Sequence, residues 1–215
     1  IKANQSFKAL FPPPGPGVDK WLKYQKMKYI SILASGAGTN AENIIRYFSN
    51  DKKAKVTLVL SNKPQAKVLE RAAALGVDSF FFDRTQFYET GEVLLMLHRK
   101  KTDLLALAGF LWLVPADVTE AFRGRIVNIH PALLPDFGGK GMYGDRVHRA
   151  VLDAGRSESG ITIHYVNDHY DAGDIIFQAR CPVLPGDDVI SLAARVHALE
   201  YKHYPEVISR LVDEI

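Results

Sequence analysis

The chain has 215 residues, 47% apolar and 24% charged, with a formal net charge of +3. This suits one globular domain with a sizeable core and a small anionic substrate, and argues against a nucleic-acid or membrane-surface binder. A single cysteine, Cys181, excludes an intrachain disulfide and a thiolate zinc cluster; with no apolar run of membrane-spanning length and no leader segment, a cytoplasmic protein is expected.

Residues 1–26 carry "PPPGPG" and show no sustained period. They read as an N-terminal extension ahead of a natural start at Met27, with residues 27–215 as a single domain. From Met27 onward strands and helices alternate. Residues 29–34 predict a first strand, "SGAGTN" breaks it, and "AENIIRYF" is a helix with Ile44, Ile45 and Phe48 on one face. "KVTLVLS" is a second strand and "AKVLERAAALG" a helix stopped at Gly76. "DSFFF" is a third strand, "FYETGEVLLMLHRK" one helix, "DLLALAG" a fourth strand, "PADVTEAF" a short helix and "RIVNI" a fifth strand. Apolar on both faces and separated by helices, these strands predict an open, mostly parallel Rossmann-like sheet with helices on both faces.

The pattern then changes. After "HPALLPDFGGKGMYG" comes a helix in "DRVHRAVLDAG", then "SGITIHYV" and "GDIIFQARCPV", two strands with no helix between them. That spacing predicts an antiparallel hairpin added to the sheet. A final helix opens at Asp187 and Asp188, with Val189, Leu192, Ala193 and Val196 as its buried stripe and a kink or restart expected at Pro205.

Two stretches could carry chemistry. "SGAGTN" joins the first strand to the first helix, where backbone N–H groups and the helix dipole favour an anion. Gly36 and Gly38 allow close approach, and Thr39 and Asn40 add side-chain donors. The loop is neither GxGxxG nor a Walker loop, so it reads as a site for one phosphate or as a plain capped turn. In "VNIHPALLP", Asn128 and His130 are two apart and share a strand face while Ile129 packs on the other. They end the fifth strand at the sheet edge where ligands bind. An amide donor beside an imidazole suits a developing oxyanion and its proton traffic; the alternative is a turn cap and a structural histidine. A supporting carboxylate is available in "NDHYDAGD", where spacing does not choose among Asp168, Asp171 and Asp174. His164 alternates with Ile163 and Tyr165 and reads as a hydrogen-bonded core residue, with a place lining the site as the alternative. His148, His197 and His203 read as surface or packing residues, and Lys140 in "GGKGMYG" as an exposed lysine, with an anion contact as the alternative.

"ILASGAGTN", "LALAGFLWLV", "VNIHPALLP", "SGITIHYVNDHYDAGDIIFQ" and "VHALEYKHYPEVI" follow one another here as in a known family. From about residue 27 to its end the chain resembles the phosphoribosylglycinamide formyltransferases of the formyltransferase superfamily. The resemblance implies formyl transfer from 10-formyltetrahydrofolate, a co-substrate, to the amine of glycinamide ribonucleotide in purine biosynthesis, by direct attack through a tetrahedral intermediate. It also implies small-molecule substrates, no metal, and a monomer or homodimer. By position, His130 resembles the family's acid/base, Asn128 the donor to the formyl oxygen, and Asp171 the carboxylate supporting the histidine. Gly38, Thr39 and Asn40 match the phosphate loop, and Glu200 an acidic residue near the ribonucleotide. Leu111, Trp112, Leu113 and Val114 match the folate pocket wall, which Asn128 adjoins, and Arg84 a further folate contact. Trp112 departs from the basic or polar residue expected there.

The mechanism this implies has a neutral amine attacking the formyl carbon, with Asn128 and protonated His130 stabilising the oxyanion. Asp171 is expected to raise the His130 pKa by charge pairing. Methionyl-tRNA formyltransferase and formyltetrahydrofolate hydrolase share the Asn-His-Asp set but carry added domains. A non-catalytic phosphosugar-binding module is the rival of a different class.

Overall fold

The computed structural model describes residues 26–215. The extension expected over residues 1–26 therefore lies, but for Lys26, outside the described residues. β1 (Lys28–Leu33) leads to α1 (Thr39–Tyr47), β2 (Ala54–Ser61) to α2 (Lys67–Ala74), and β3 (Asp78–Phe81) to α3 (Arg84–Tyr88) and α4 (Glu92–Arg99). β4 (Leu104–Leu107) precedes α5 (Ala116–Ala121), and β5 (Ile126–His130) precedes α6 (Asp145–Asp153). A hairpin of β6 (Glu158–Tyr165) and β7 (Ile175–Pro182) precedes α7 (Val189–Glu214).

Among the described residues the strands form one seven-stranded sheet in the order β3-β2-β1-β4-β5-β6-β7. β1 to β5 pair in parallel, β5 with β6 and β6 with β7 antiparallel, as the alternation and the helix-free hairpin predict. The side-chain alternation of the central strands divides the core in two. Ile30, Ile32, Ala106, Val127 and Ile129 face one way, onto Ile44, Val68, Val196 and Val207 of α1, α2 and α7. Leu33, Leu58, Leu105, Leu107 and Ile126 face the other way, onto Val93, Leu97 and Val118 of α4 and α5.

Two elements differ from expectation. The single helix predicted across "FYETGEVLLMLHRK" is two: α3 stops with Glu89 as its C-cap, and Gly91, at a left-handed φ of 69°, starts α4. α7 continues through Pro205 as one helix, without the restart that is one of the two outcomes expected there. Proline has no N–H to give the carbonyl of Tyr201, four residues back. The amide of Asn43 on α1 donates to that carbonyl instead, at 2.7 Å. The lost helical bond becomes a tie between two helices.

The order of strands reverses between β1 and β4, and the loops leaving their carboxyl ends diverge there. The neighbouring β4–β5 pair is braced by a helix. Tyr204 of α7 is fully buried, and its hydroxyl lies 2.9 Å from the carbonyl of Leu107 on β4 and 3.1 Å from that of Val127 on β5. Tyr204→Phe removes the donor and keeps the ring. It should lower the free energy of unfolding by about 1–2 kcal/mol in urea titration, the usual worth of a buried hydroxyl bond. A loss below about 0.3 kcal/mol would show that the brace contributes nothing.

Candidate active site

At the carboxyl edge of the sheet lies a cleft of about 640 Å³. Residues 35–40 after β1, residues 108–111 after β4 and residues 139–144 after β5 line it, together with Asn128, His130, Asp171 and, from α7, His197 and Glu200. The first two loops are stitched together: Ser35 N–H donates to Gly109 O and Leu111 N–H to Ser35 Oγ, both at 3.0 Å.

Strand register builds the end of the cleft at β5. Asn128 stands directly opposite His164, and His130 opposite Thr162, on the face away from Val127 and Ile129. Facing residues of an antiparallel pair are close enough to bond side chain to side chain. The Asn128 amide nitrogen lies 3.1 Å from His164 Nε2. His164 Nδ1 lies 2.8 Å from the carbonyl of Tyr165, which can only accept, so the proton is on Nδ1 and Nε2 accepts from Asn128. Thr162 Oγ donates to Ala132 O at 2.7 Å and accepts from Leu134 N–H and the Gln178 amide at 2.9 Å. This polar strand face thus holds both the amide and the chain that follows His130.

Of the three candidate aspartates, Asp171 is the one that reaches this cluster. Asp168 is exposed and pairs with His169, and Asp174 is exposed. Asp171 Oδ2 accepts from Gly139 N–H at 2.9 Å and lies 3.5 Å from His130 Nδ1. Its Oδ1 is 3.4 Å from the Asn128 amide nitrogen. Burial pushes the Asp171 carboxyl up, but His164, His130 and the Gly139 N–H outweigh it and hold it below the usual carboxylate range. The aspartate therefore remains charged at neutral pH.

His130 is 3% exposed, and its Nε2 lies 2.8 Å from the carbonyl of Phe137. Nε2 therefore carries a proton, and in the neutral ring Nδ1 turns a lone pair toward Asp171. The expected rise in its pKa is corrected by the structure. Burial lowers the pKa and prevails over Asp171 and the Phe137 carbonyl, which raise it. Near neutral pH the ring is uncharged and ready to accept a proton at Nδ1, where the carboxylate would stabilise it.

The other end of the cleft is the start of α1, which no side chain caps. Gly38 has φ 76°, and a Cβ there would lie 2.5 Å from Val68 Cβ, so glycine is required by the protein itself. Gly36 has nothing within 4 Å of an added Cβ, which leaves its side of the loop open to a ligand. The amide of Asn40 donates to Glu200 Oε2 at 2.8 Å, while its Oδ1 is buried without a partner. Burial raises the pKa of Glu200, and the Asn40 bond works against that rise.

Residues 28–208 match the family model described as formyl transferase. The chain belongs to the formyl transferase family. It is 36% identical over 191 residues to phosphoribosylglycinamide formyltransferase of Bacillus subtilis (strain 168), covering 86% of this chain and 95% of that protein. It is 37% identical over 195 residues to the chloroplastic phosphoribosylglycinamide formyltransferase of Arabidopsis thaliana, 67% of whose length it spans. It is also 37% identical to a trifunctional purine biosynthetic protein of Drosophila melanogaster, of which it covers only 14%. Among solved structures, glycinamide ribonucleotide transformylase 1 from Symbiobacterium toebii superimposes with a TM-score of 0.80 at 36% identity, covering 87% of this chain and 89% of that one.

In this formyl transferase fold the cleft gathers Gly38, Thr39, Asn40, Leu111, Asn128, His130, Asp171 and Glu200. Arg84, Trp112, Leu113 and Val114 lie outside its lining. Arg84 stacks 5.1 Å over the rings of both Tyr88 and Trp112, Leu113 O accepts from Tyr88, and Val114 is buried in the core. His197 and His148, read from sequence as surface or packing residues, both line the cleft. The clue for His148 is its place beside Val147 and Val151 on the buried stripe of α6. Among the described residues no group of three or more His, Cys, Asp or Glu is arranged to hold a metal. None of the described helices is long and apolar enough to cross a membrane.

His148 is 1% exposed, its Nδ1 has no partner, and its pKa is lowered from 6.5 to about 4, chiefly by burial and then by His197. A histidine whose folded pKa is depressed binds its proton more readily when unfolded, so stability falls with pH from about 6.5 toward about 4. The free energy of unfolding should drop by up to about 3 kcal/mol over this window. His148→Phe should remove most of that slope. Equal slopes in the variant and the parent, from denaturant titrations at stepped pH, would refute the assignment.

Proposed function

We propose that the chain transfers the formyl group of 10-formyltetrahydrofolate to the amine of 5'-phosphoribosylglycinamide, a step of purine biosynthesis. The observation that carries this reading is the joining of two ends in one cleft. A cluster of half-buried Asn128, buried His130 and half-buried Asp171 faces an uncapped helix start suited to an anion. The names of the relatives point the same way. Residues 27–215 are the formyltransferase domain and residues 1–26 an extension to it.

The amine nitrogen attacks the formyl carbon, and the carbonyl electrons move to oxygen as a tetrahedral intermediate forms. Asn128 offers an N–H to that oxygen. The amide contact to Asp171, at 3.4 Å, is the one given up at least cost, while the 3.1 Å contact to His164 keeps the amide oriented. His130 carries the proton lost by the amine to the folate nitrogen, whose bond to the formyl carbon then breaks. Asp171 stabilises the imidazolium during that transfer. Because the Nε2 proton is given to the carbonyl of Phe137, donation to substrate requires this loop carbonyl to yield its place. The chemistry asks for no metal.

Glu200, Asn40 and Thr39 bind the ribonucleotide around the loop at Gly38. Leu111 begins the folate wall, which Trp112, Leu113 and Val114 continue. Arg84, a cation held on aromatic faces at the outer end of that wall, suits the acidic tail of the cofactor.

The deciding assay is formyl transfer to the ribonucleotide, with water as control acceptor to separate transferase from hydrolase. His130→Ala and Asp171→Asn should each lose about 10²-fold or more in turnover while still binding both substrates. The double variant should be little worse than His130→Ala, since the two act as a unit. Near-parental rates in either single variant would sink the assignment.

Gly36→Val tests the other end. The protein has room for the side chain, so the thermal midpoint should hold within about 2 °C while the ribonucleotide KM rises about tenfold or more and the folate KM does not. Equal damage to both KM values would place the ligand elsewhere.

A further inference from the structure

The loop at the start of α1 carries no cation of its own. A phosphate there would be met by backbone N–H groups and a helix dipole, worth about half a charge, against up to two negative charges. The ionisable side chains that bond to this segment or stand in the first turn of α1 are acidic. Glu200 is bonded to Asn40, and Glu42, in the first turn of α1, is already paired with Arg46 and Arg71. Both arginines are thereby committed elsewhere.

Lys63 stands on the next loop, after β2, and lines the same cleft. Its ammonium makes no ion pair or hydrogen bond among the described residues. Three contacts fix its place relative to the α1 loop. Ala66 N–H donates to Lys63 O at 3.2 Å, closing the turn. Val68 N–H, just beyond that turn, donates to Gly36 O at 3.3 Å. Gly38 packs so tightly on Val68 that a Cβ would come within 2.5 Å of it. Pro64 also restricts the backbone of Lys63 to extended conformations. The other cations of the cleft, Lys140 and Arg146, come from the β5–α6 connection and the start of α6, and Arg146 lies over the ring of Tyr143 at 5.0 Å.

We infer that Lys63 binds the phosphate of the substrate, supplying from the neighbouring strand's loop the positive charge that "SGAGTN" lacks. The inference rests on the ribonucleotide reading for the identity of the substrate, but the phosphate contact can be tested without turnover. As a compact point charge on a flexible stem, the ammonium would close over a phosphate already seated on the backbone N–H groups. It would add affinity in ground state and transition state alike, and so change KM and not kcat.

The test uses the full chain with Lys63→Met, Lys63→Arg and, as control, Lys140→Met. Thermal midpoints are measured with ribose 5-phosphate, inorganic phosphate or unphosphorylated ribose. The parent should be stabilised by the two phosphates and not by ribose; Lys63→Met should lose most of that shift, while Lys63→Arg and Lys140→Met keep it. In formyl-transfer assays Lys63→Met should raise the ribonucleotide KM about tenfold or more, with kcat within about twofold and the folate KM unchanged. A phosphate shift in Lys63→Met equal to the parent's would overturn the inference, as would an equal loss in Lys140→Met, which would reduce the effect to the general field of the cleft. No phosphate shift in the parent would overturn it too. A shift that depends on Lys63 in a chain that transfers no formyl group would leave the lysine assignment standing and remove the proposed reaction instead.

Discussion

The carboxylate of Asp171 is the constraint around which the site is organised. A charge taken out of water is tolerated only where donors and cations replace the water it has lost. Asp171 obtains donors from two separate parts of the chain, the backbone of Gly139 and the amide of Asn128, and stands beside the imidazole of His130. Each of those contacts also fixes something else. The Gly139 bond holds the loop after β5 over the cleft, the amide contact orients Asn128, and the charge faces the bare nitrogen of His130. Removing the carboxylate would therefore loosen a loop, an amide and a ring together.

The hairpin makes this possible. A parallel sheet ending at β5 would leave Asn128 and His130 on a bare edge. β6 runs antiparallel to β5 and places His164 and Thr162 directly across from them. The turn from β6 to β7 then returns to the same edge with Asp171, at a left-handed φ of 52°. Non-glycine residues adopt that conformation at a cost, and an aspartate tolerates it better than most. Gly173 follows under a separate constraint, since a Cβ there would lie 1.8 Å from the carbonyl of Tyr165. The "DAG" sequence thus answers steric demands of the turn as well as chemical ones.

Much of this was legible in the sequence, because it depends on period and position. Alternation in "RIVNIH" places Asn128 and His130 on one face, and the helix-free spacing of the last two strands announces the hairpin. What escaped depends on three-dimensional closure. Spacing within "NDHYDAGD" does not distinguish Asp171 from Asp168 or Asp174; the family resemblance points to Asp171, and only the built turn gives the physical reason. The continuity of α7 through Pro205 depends on Asn43, 162 residues earlier, reaching the carbonyl of Tyr201. His148 reads as a packing or surface residue because a helical stripe says what is buried and not what lies beyond the helix. The direction of the His130 shift failed for a related reason: a charge partner can be guessed from sequence, but the depth of burial opposing it cannot.

That last balance bears directly on chemistry. Had Asp171 prevailed, His130 would rest as an imidazolium, its Nδ1 proton already present and unable to accept another. Burial instead keeps the ring neutral, with Nε2–H fixed by the Phe137 carbonyl and Nδ1 open beside a permanent negative charge. In the proposed reaction the ion pair would then be available to the transfer and not spent in the resting protein. Charge would appear on the ring only when a proton arrives, with the carboxylate already in place and needing no reorganisation. A shallower site would raise the ring's pKa toward that of a paired histidine and lose this advantage. The depth of the cleft and the charge of Asp171 therefore have to be read together, since each alone would set the wrong resting state.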